Sequence, residues 1–195
     1  MIKKFIKRLL YNKIITKMSH LWLLRAHNKI YDLIGTQAVI LNNGTHPKRN
    51  IIEYENWFVE NVRPEWSIID VGCHEGYMAA KMAKKAAWVT GIDINRKHIE
   101  RAIEGFTDKN LRFISCDVTC MDFLDLGIVD CVTLSNVLEH IEDRVNFLKK
   151  IIEIQWRSRP HILIRVPLIE RDWISVYKQM IGVEYRLDDT HYIEY

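Results

Sequence analysis

The pattern of apolar and polar positions is clearest between residues 68 and 95, and the other elements can be set around that stretch. Residues 68–71 (Ile-Ile-Asp-Val) form a short run rich in β-branched side chains, the pattern of a strand buried on both faces. A turn with Gly72 and Gly76 at its ends follows. Residues 77–87 are helix formers almost throughout (Met, Ala, Lys), enough for about three turns. Residues 88–92 make a second buried strand, closed by Asp93. Strand, turn, helix and strand compose a βαβ unit, whose crossover makes the two strands parallel.

The same reading predicts strands at 111–115, 129–134 and 161–166 and a helix from Asn95, a good N-cap, to about residue 104. A further helix over 141–155 carries an apolar stripe at Val145, Leu148, Ile151 and Ile152. Upstream, Pro47 opens a helix with Ile51, Tyr54, Trp57, Phe58 and Val62 on one side, and Pro64 ends it. Asn42-Asn-Gly44 marks a turn before it.

The polar residues fall at the carboxyl ends of the predicted strands, where open α/β sheets bind ligands. Gly72 and Gly76 let backbone approach a ligand and open a helix whose N–H groups favour negative charge. Asp93 lies 23 positions after Asp70, where an acid can accept both hydroxyls of a ribose. A dinucleotide GxGxxG pattern fails, because His74 and Tyr77 stand where glycines are needed. The turn therefore suits a nucleoside better than a pyrophosphate.

Asp70-Val-Gly-Cys-His-Glu-Gly76, followed by Gly91-Ile-Asp-Ile-Asn95, resembles the first two motifs of class I S-adenosylmethionine-dependent methyltransferases. The usual first motif is acid-x-Gly-x-Gly-x-Gly, so His74 replaces the middle glycine and alters the loop. Ser135-Asn-Val-Leu-Glu-His-Ile141 resembles the run after strand four in the small-molecule branch of that family, where it lines the methionine moiety. The resemblance covers residues 50–195. It implies an α/β, three-layer Rossmann-like sandwich and S-adenosylmethionine as cofactor. The implied cofactor set is Asp70, Gly72, Cys73, His74 and Gly76 in the first turn, Asp93 with Ile94, Asp117 with Val118 near the adenine, and Asn136. The full fold has seven strands, the last two forming a hairpin. Only five are found here, so the expectation is a parallel sheet in order 3-2-1-4-5 without strands six and seven, either a truncated relative or one completed by another polypeptide, with an open edge at strand five that favours self-association.

The chemistry needs little covalent help, since a sulfonium methyl is already electrophilic and the site has only to align a lone pair behind it. A hydroxyl acceptor also calls for a general base, for which His140, Asp172 and His191 are the candidates. Each has a plain alternative. His140 follows Glu139 on a helix and can serve as a pocket wall; Asp172 can cap the next helix; His191 lies close to the chain end. The region after residue 166, rich in aromatics and charge, resembles the variable substrate region of bacterial methyltransferases, some of which act on glycans. The expected acceptor is thus a small molecule or glycan, methylated on oxygen. Two other classes compete: a nucleoside-binding domain without turnover, and a membrane-recruited interaction protein.

Composition changes the picture at one place. The 195 residues carry a net charge of +3, but residues 1–31 hold eight Lys and Arg and no acid, leaving 20 basic against 25 acidic residues beyond them. Within that segment Ile2, Phe5, Ile6, Leu9, Leu10, Ile14, Met18, Leu21 and Trp22 recur at helical spacing. The apolar runs are too broken for a signal peptide or a span, but a basic amphipathic helix can lie on an anionic membrane surface or pack on a partner. Peripheral membrane contact through residues 1–24, at the inner face, is therefore one expectation, with a basic helical segment at 1–45 and the methyltransferase domain at 46–195. Cys73, Cys116, Cys120 and Cys131 form no CxxC pair, so neither a metal nor a disulfide framework is expected, and a reducing cytoplasm is the simplest home. No basic stripe for nucleic acid interrupts the domain.

Overall fold

The computed structural model describes residues 13–44 and 46–195. They fall into two compact units, one made of the described residues up to Ile52 with Ile169–Leu187 and the other of Glu53–Leu168 with Asp188–Tyr195. A boundary at residues 45/46 lies inside the first unit, to which residues from beyond the last strand also belong.

The larger unit is a five-stranded parallel sheet, with β1 at Ser67–Val71, β2 at Trp88–Asp93, β3 at Leu111–Ser115, β4 at Cys131–Ser135 and β5 at Ile162–Arg165. Its order is β3-β2-β1-β4-β5, with Ile69 opposite Thr90 on one side and Val132 on the other. Every crossover is parallel, as the alternation of strands and helices predicts. Alternate residues of β1 feed two cores. Ile69 and Val71 pack with Ile92, Leu134, Phe147 and Ile151 on one face, while Ile68 packs with Phe58, Met82, Val89 and Cys131 on the other. Both faces are thus covered by helices, which is why the strands read as continuous apolar runs.

Several boundaries differ from expectation. The helix predicted from Pro47 onward is broken at Glu53, which has φ 47° and separates a short helix at Lys48–Ile52 from Tyr54–Asn61. The helix after β1 stops at Ala83, and that after β2 runs from Arg96 to Gly105 with the Asn95 side chain accepting from the Lys97 N–H, as its N-cap role predicts. The helix predicted over 141–155 is shorter, Arg144–Ile152, and a 3-10 turn at Leu138–His140 precedes it. Val129, expected in β4, instead forms an isolated bridge with Trp156.

The smaller unit centres on one helix, Lys13–Leu41, which runs through Gly35 without interruption. Within this unit Asn28 donates to the Glu184 carbonyl, Lys178 meets Asn28 Oδ1 and His27 Nδ1, and His20 packs on Tyr177. The apolar positions predicted at 2–10 lie outside the described residues; Ile14, Met18 and Trp22, which continue their spacing, are 73%, 69% and 67% exposed.

Candidate active site

The expected site residues gather where the topology directs them, past the carboxyl ends of β1 to β4. Gly72 leaves β1 with φ 69°, and a Cβ there would stand 2.7 Å from Val137 Cγ2. Gly76 has φ 80°, and its Cβ would meet the Phe113 ring at 2.5 Å, so both positions exclude side chains on conformational and steric grounds. His74 takes the same left-handed region, at φ 51°, without being glycine. Its N–H donates to Asp93 Oδ2 at 2.8 Å, which anchors the turn to the end of β2. Gly72 and Cys73 both donate to the Ile92 carbonyl, at 2.7 and 3.0 Å.

Asp93 also accepts the Asn95 N–H on Oδ1, at 2.8 Å. A carboxylate offers about four lone-pair positions, so two backbone bonds leave acceptor capacity for a diol. The His98 ring stacks on His74 at 3.7 Å between centroids, and its Nδ1 is 3.5 Å from Asp93 Oδ1. Ile94 beside it is 70% exposed, an apolar surface at the rim.

Asp70 lies deeper. It is fully buried, its Oδ1 accepts the Thr133 hydroxyl at 2.7 Å, and burial pushes its carboxyl up to about 7. Burial likewise raises the Cys73 thiol, which is 5% exposed. Asp117 follows β3 and accepts both the N–H and the hydroxyl of Thr119, which hold its carboxyl below the usual carboxylate range. Val118 beside it is half-buried. Asn136 follows β4 with φ 56°, and its Oδ1 accepts from Arg165 at 3.1 Å. Arg165 in turn lies over the Tyr54 ring at 4.1 Å.

The three candidate bases separate. Asp172 belongs to the smaller unit, where it caps Trp173–Met180 by accepting the Ser175 N–H at 2.7 Å; partial burial opposes ionisation there, but the Ser175 hydrogen bonds outweigh it and lower its pKa. His140 and His191 meet in the larger unit, their rings perpendicular at 4.6 Å. The tail is tied there by backbone bonds from the Tyr192 N–H to the Glu139 carbonyl and from the Tyr195 N–H to the Pro167 carbonyl. His140 is exposed, with Nδ1 3.0 Å from the Thr190 hydroxyl, and it borders a cavity of about 510 Å³ also lined by Thr119, Asp143, Phe147 and Tyr192.

Glu139 and Glu194 join this cluster and were not candidates from the sequence. Glu139 is fully buried, and burial raises its carboxyl above the usual range. Glu194 is 5% exposed, with Oε1 3.3 Å from His191 Nδ1. The signal was the Glu139-His140 pair and the His191–Glu194 spacing, but only the docked tail brings them together.

The residues present fit S-adenosylmethionine by donor chemistry: Asp93 provides acceptors for a diol, Asp117 an ionised acceptor beside β3, and Gly72 and Gly76 two turn positions without side chains. Residues 69–154 match the family model of the methyltransferase domain. An uncharacterized methyltransferase of Mycobacterium tuberculosis is 31% identical over 84 residues, 43% of this chain and 42% of that protein. A ubiquinone biosynthesis O-methyltransferase of Vibrio parahaemolyticus is 33% identical over 86 residues, 42% of this chain and 36% of that protein. The chain thus spans less than half the length of these two relatives. Among solved structures, the YcgJ protein of Bacillus subtilis superposes with a TM-score of 0.56 at 18% identity, covering 72% of this chain and 61% of that one, a likeness of fold. Over residues 69–154 the chain thus matches the methyltransferase domain, and its sheet order and the rim at its carboxyl edge are those expected of a class I S-adenosylmethionine-dependent methyltransferase.

Proposed function

We propose that this chain binds S-adenosylmethionine at the rim of β1 to β4 and transfers its methyl group to a hydroxyl oxygen of a small-molecule or glycan acceptor. The observation that carries this reading is Asp93, its carboxylate fixed by two backbone N–H groups at the end of β2 beside the glycine turn. The cofactor supplies a sulfonium-bound methyl: its C–S bond breaks, an O–CH₃ bond forms, and sulfur leaves as a thioether. Asp93 holds the ribose hydroxyls, with Gly72, Cys73, His74 and Gly76 below them, Ile94 against the purine and Asp117 with Val118 at its amino edge. Asp70 sets the turn from beneath. Asn136 and the loop after β4 line the methionine end, and the acceptor's hydroxyl meets the cluster of His140 and His191. The oxygen acceptor draws support from the resemblance to O-methyltransferases of ubiquinone biosynthesis.

Mass spectrometry of acceptor panels incubated with S-adenosylmethionine tests the reading. It expects S-adenosylhomocysteine to accumulate with a hydroxylated acceptor; cofactor binding without turnover on any acceptor would favour the non-catalytic alternative.

The basic amino-terminal helix is proposed to make peripheral contact with anionic membrane from the cytoplasmic side, supported by the exposure of Ile14, Met18 and Trp22. No helix of the described residues is long and apolar enough to cross a membrane. The edge strand β5, with Ile164 42% exposed, is proposed as a surface for self-association.

A further inference from the structure

We propose that Glu139, His140 and His191 form a binding site for a first-row divalent transition metal of the zinc class. This rests on the methyltransferase reading only for its consequence, since the site itself is built from side chains. One ligand atom from each residue lies within 4.8 Å of the other two. Ligands at about 2.1 Å from one zinc ion stand about 3.4 Å apart in tetrahedral geometry, so modest side-chain rotations close the set.

The independent observation is Glu139. It is completely buried, and neither carboxylate oxygen has a hydrogen-bond partner among the described residues. Buried carboxylates are ordinarily hydrogen-bonded, neutralised or bound to metal, because an isolated one is costly in a low-dielectric interior. A divalent cation supplies the missing partner and favours the ionised form.

The surroundings follow the pattern of a metal centre's outer partners. Glu194 Oε1 lies 3.3 Å from His191 Nδ1, and the Thr190 hydroxyl lies 3.0 Å from His140 Nδ1. A carboxylate or hydroxyl at one ring nitrogen fixes the tautomer and directs the other, here Nε2, to the metal. Two imidazoles and a carboxylate suit zinc, cobalt, nickel or iron over magnesium or calcium, which prefer oxygen ligands throughout. His140 also borders the cavity, so the cation has a route in and an open position toward solvent. A hydroxyl seated at that position would have its pKa lowered by the metal and give its proton to solvent, and the two imidazoles would then serve as ligands instead of bases.

The test uses the full chain, treated with chelator and desalted, then titrated with Co²⁺ by visible absorption and with Zn²⁺ against a chromophoric chelator. The expected result is one equivalent bound, with affinity falling at least 10-fold in His140→Ala and 100-fold in His191→Ala and Glu139→Gln. Circular dichroism and S-adenosylhomocysteine affinity check each fold. Because His140 is exposed, His140→Ala decides the matter should the buried variants fail to fold. No binding by the wild type, or equal binding by a folded His140→Ala, overturns the site. A chelated chain that binds S-adenosylhomocysteine but no cation overturns this inference alone and leaves the methyltransferase reading standing.

Discussion

Replacing Asp70 by asparagine should alter how stability depends on pH. The carboxyl is fully buried, and desolvation raises it from an ordinary 3.8 to about 7 against the opposing Thr133 hydrogen bond. The folded chain therefore holds a proton that the unfolded chain releases near pH 3.8. Stability from this group is whole below the lower value, declines as pH rises, and is lost above about 7. At about 1.4 kcal/mol for each tenfold change in proton affinity, the full difference is about 4 kcal/mol. Asp70→Asn keeps the shape and does not titrate. Urea unfolding of both proteins at pH 4.5, 6 and 7.5 should show the wild type losing ground to the variant by about 3 kcal/mol across that window, the rest being lost already below pH 4.5. Thr133→Val should move the decline to higher pH, since it removes the hydrogen bond that favours ionisation. Wild-type and variant curves that stay parallel from pH 4.5 to 7.5 would refute the reasoning.

Asp93→Ala should weaken S-adenosylmethionine binding at least tenfold by calorimetry, since a charge-assisted acceptor contributes about 1.5–3 kcal/mol; equal affinities would remove Asp93 from the site. Gly72→Ala should destabilise the domain by about 1–3 kcal/mol in thermal unfolding through its positive φ and the Val137 clash. Adding Val137→Ala should recover the steric part only, and no recovery would mean that φ alone matters. Flotation with anionic vesicles should show binding that falls between 0.1 and 1 M salt, as the Debye length drops from about 10 to about 3 Å, and that disappears on deleting residues 1–24. Equal binding to neutral vesicles would exclude the electrostatic account.

Local chemistry wrote the βαβ unit into the sequence. Apolar runs of strand length, glycines at 72 and 76 and the acid at 93 each leave a pattern within about twenty-five residues, and the parallel sheet follows from the alternation of strand and helix. The Asn95 cap was legible for the same reason, because a side chain two residues from its partner needs no tertiary help. The break at Glu53 was not, since helix periodicity continues through it and only the positive φ interrupts the helix. Nor could the sequence divide the three candidate bases. Asp172 lies in one compact unit, and His140 and His191 in the other. Glu139, beside His140 on a short 3-10 turn, acquires its chemistry only when residues 188–195 fold back and bury it next to His191 and Glu194. Burial and long-range proximity are properties of the packed chain: the order of residues supplied the chemical groups, and tertiary structure alone decided which of them lost water and met.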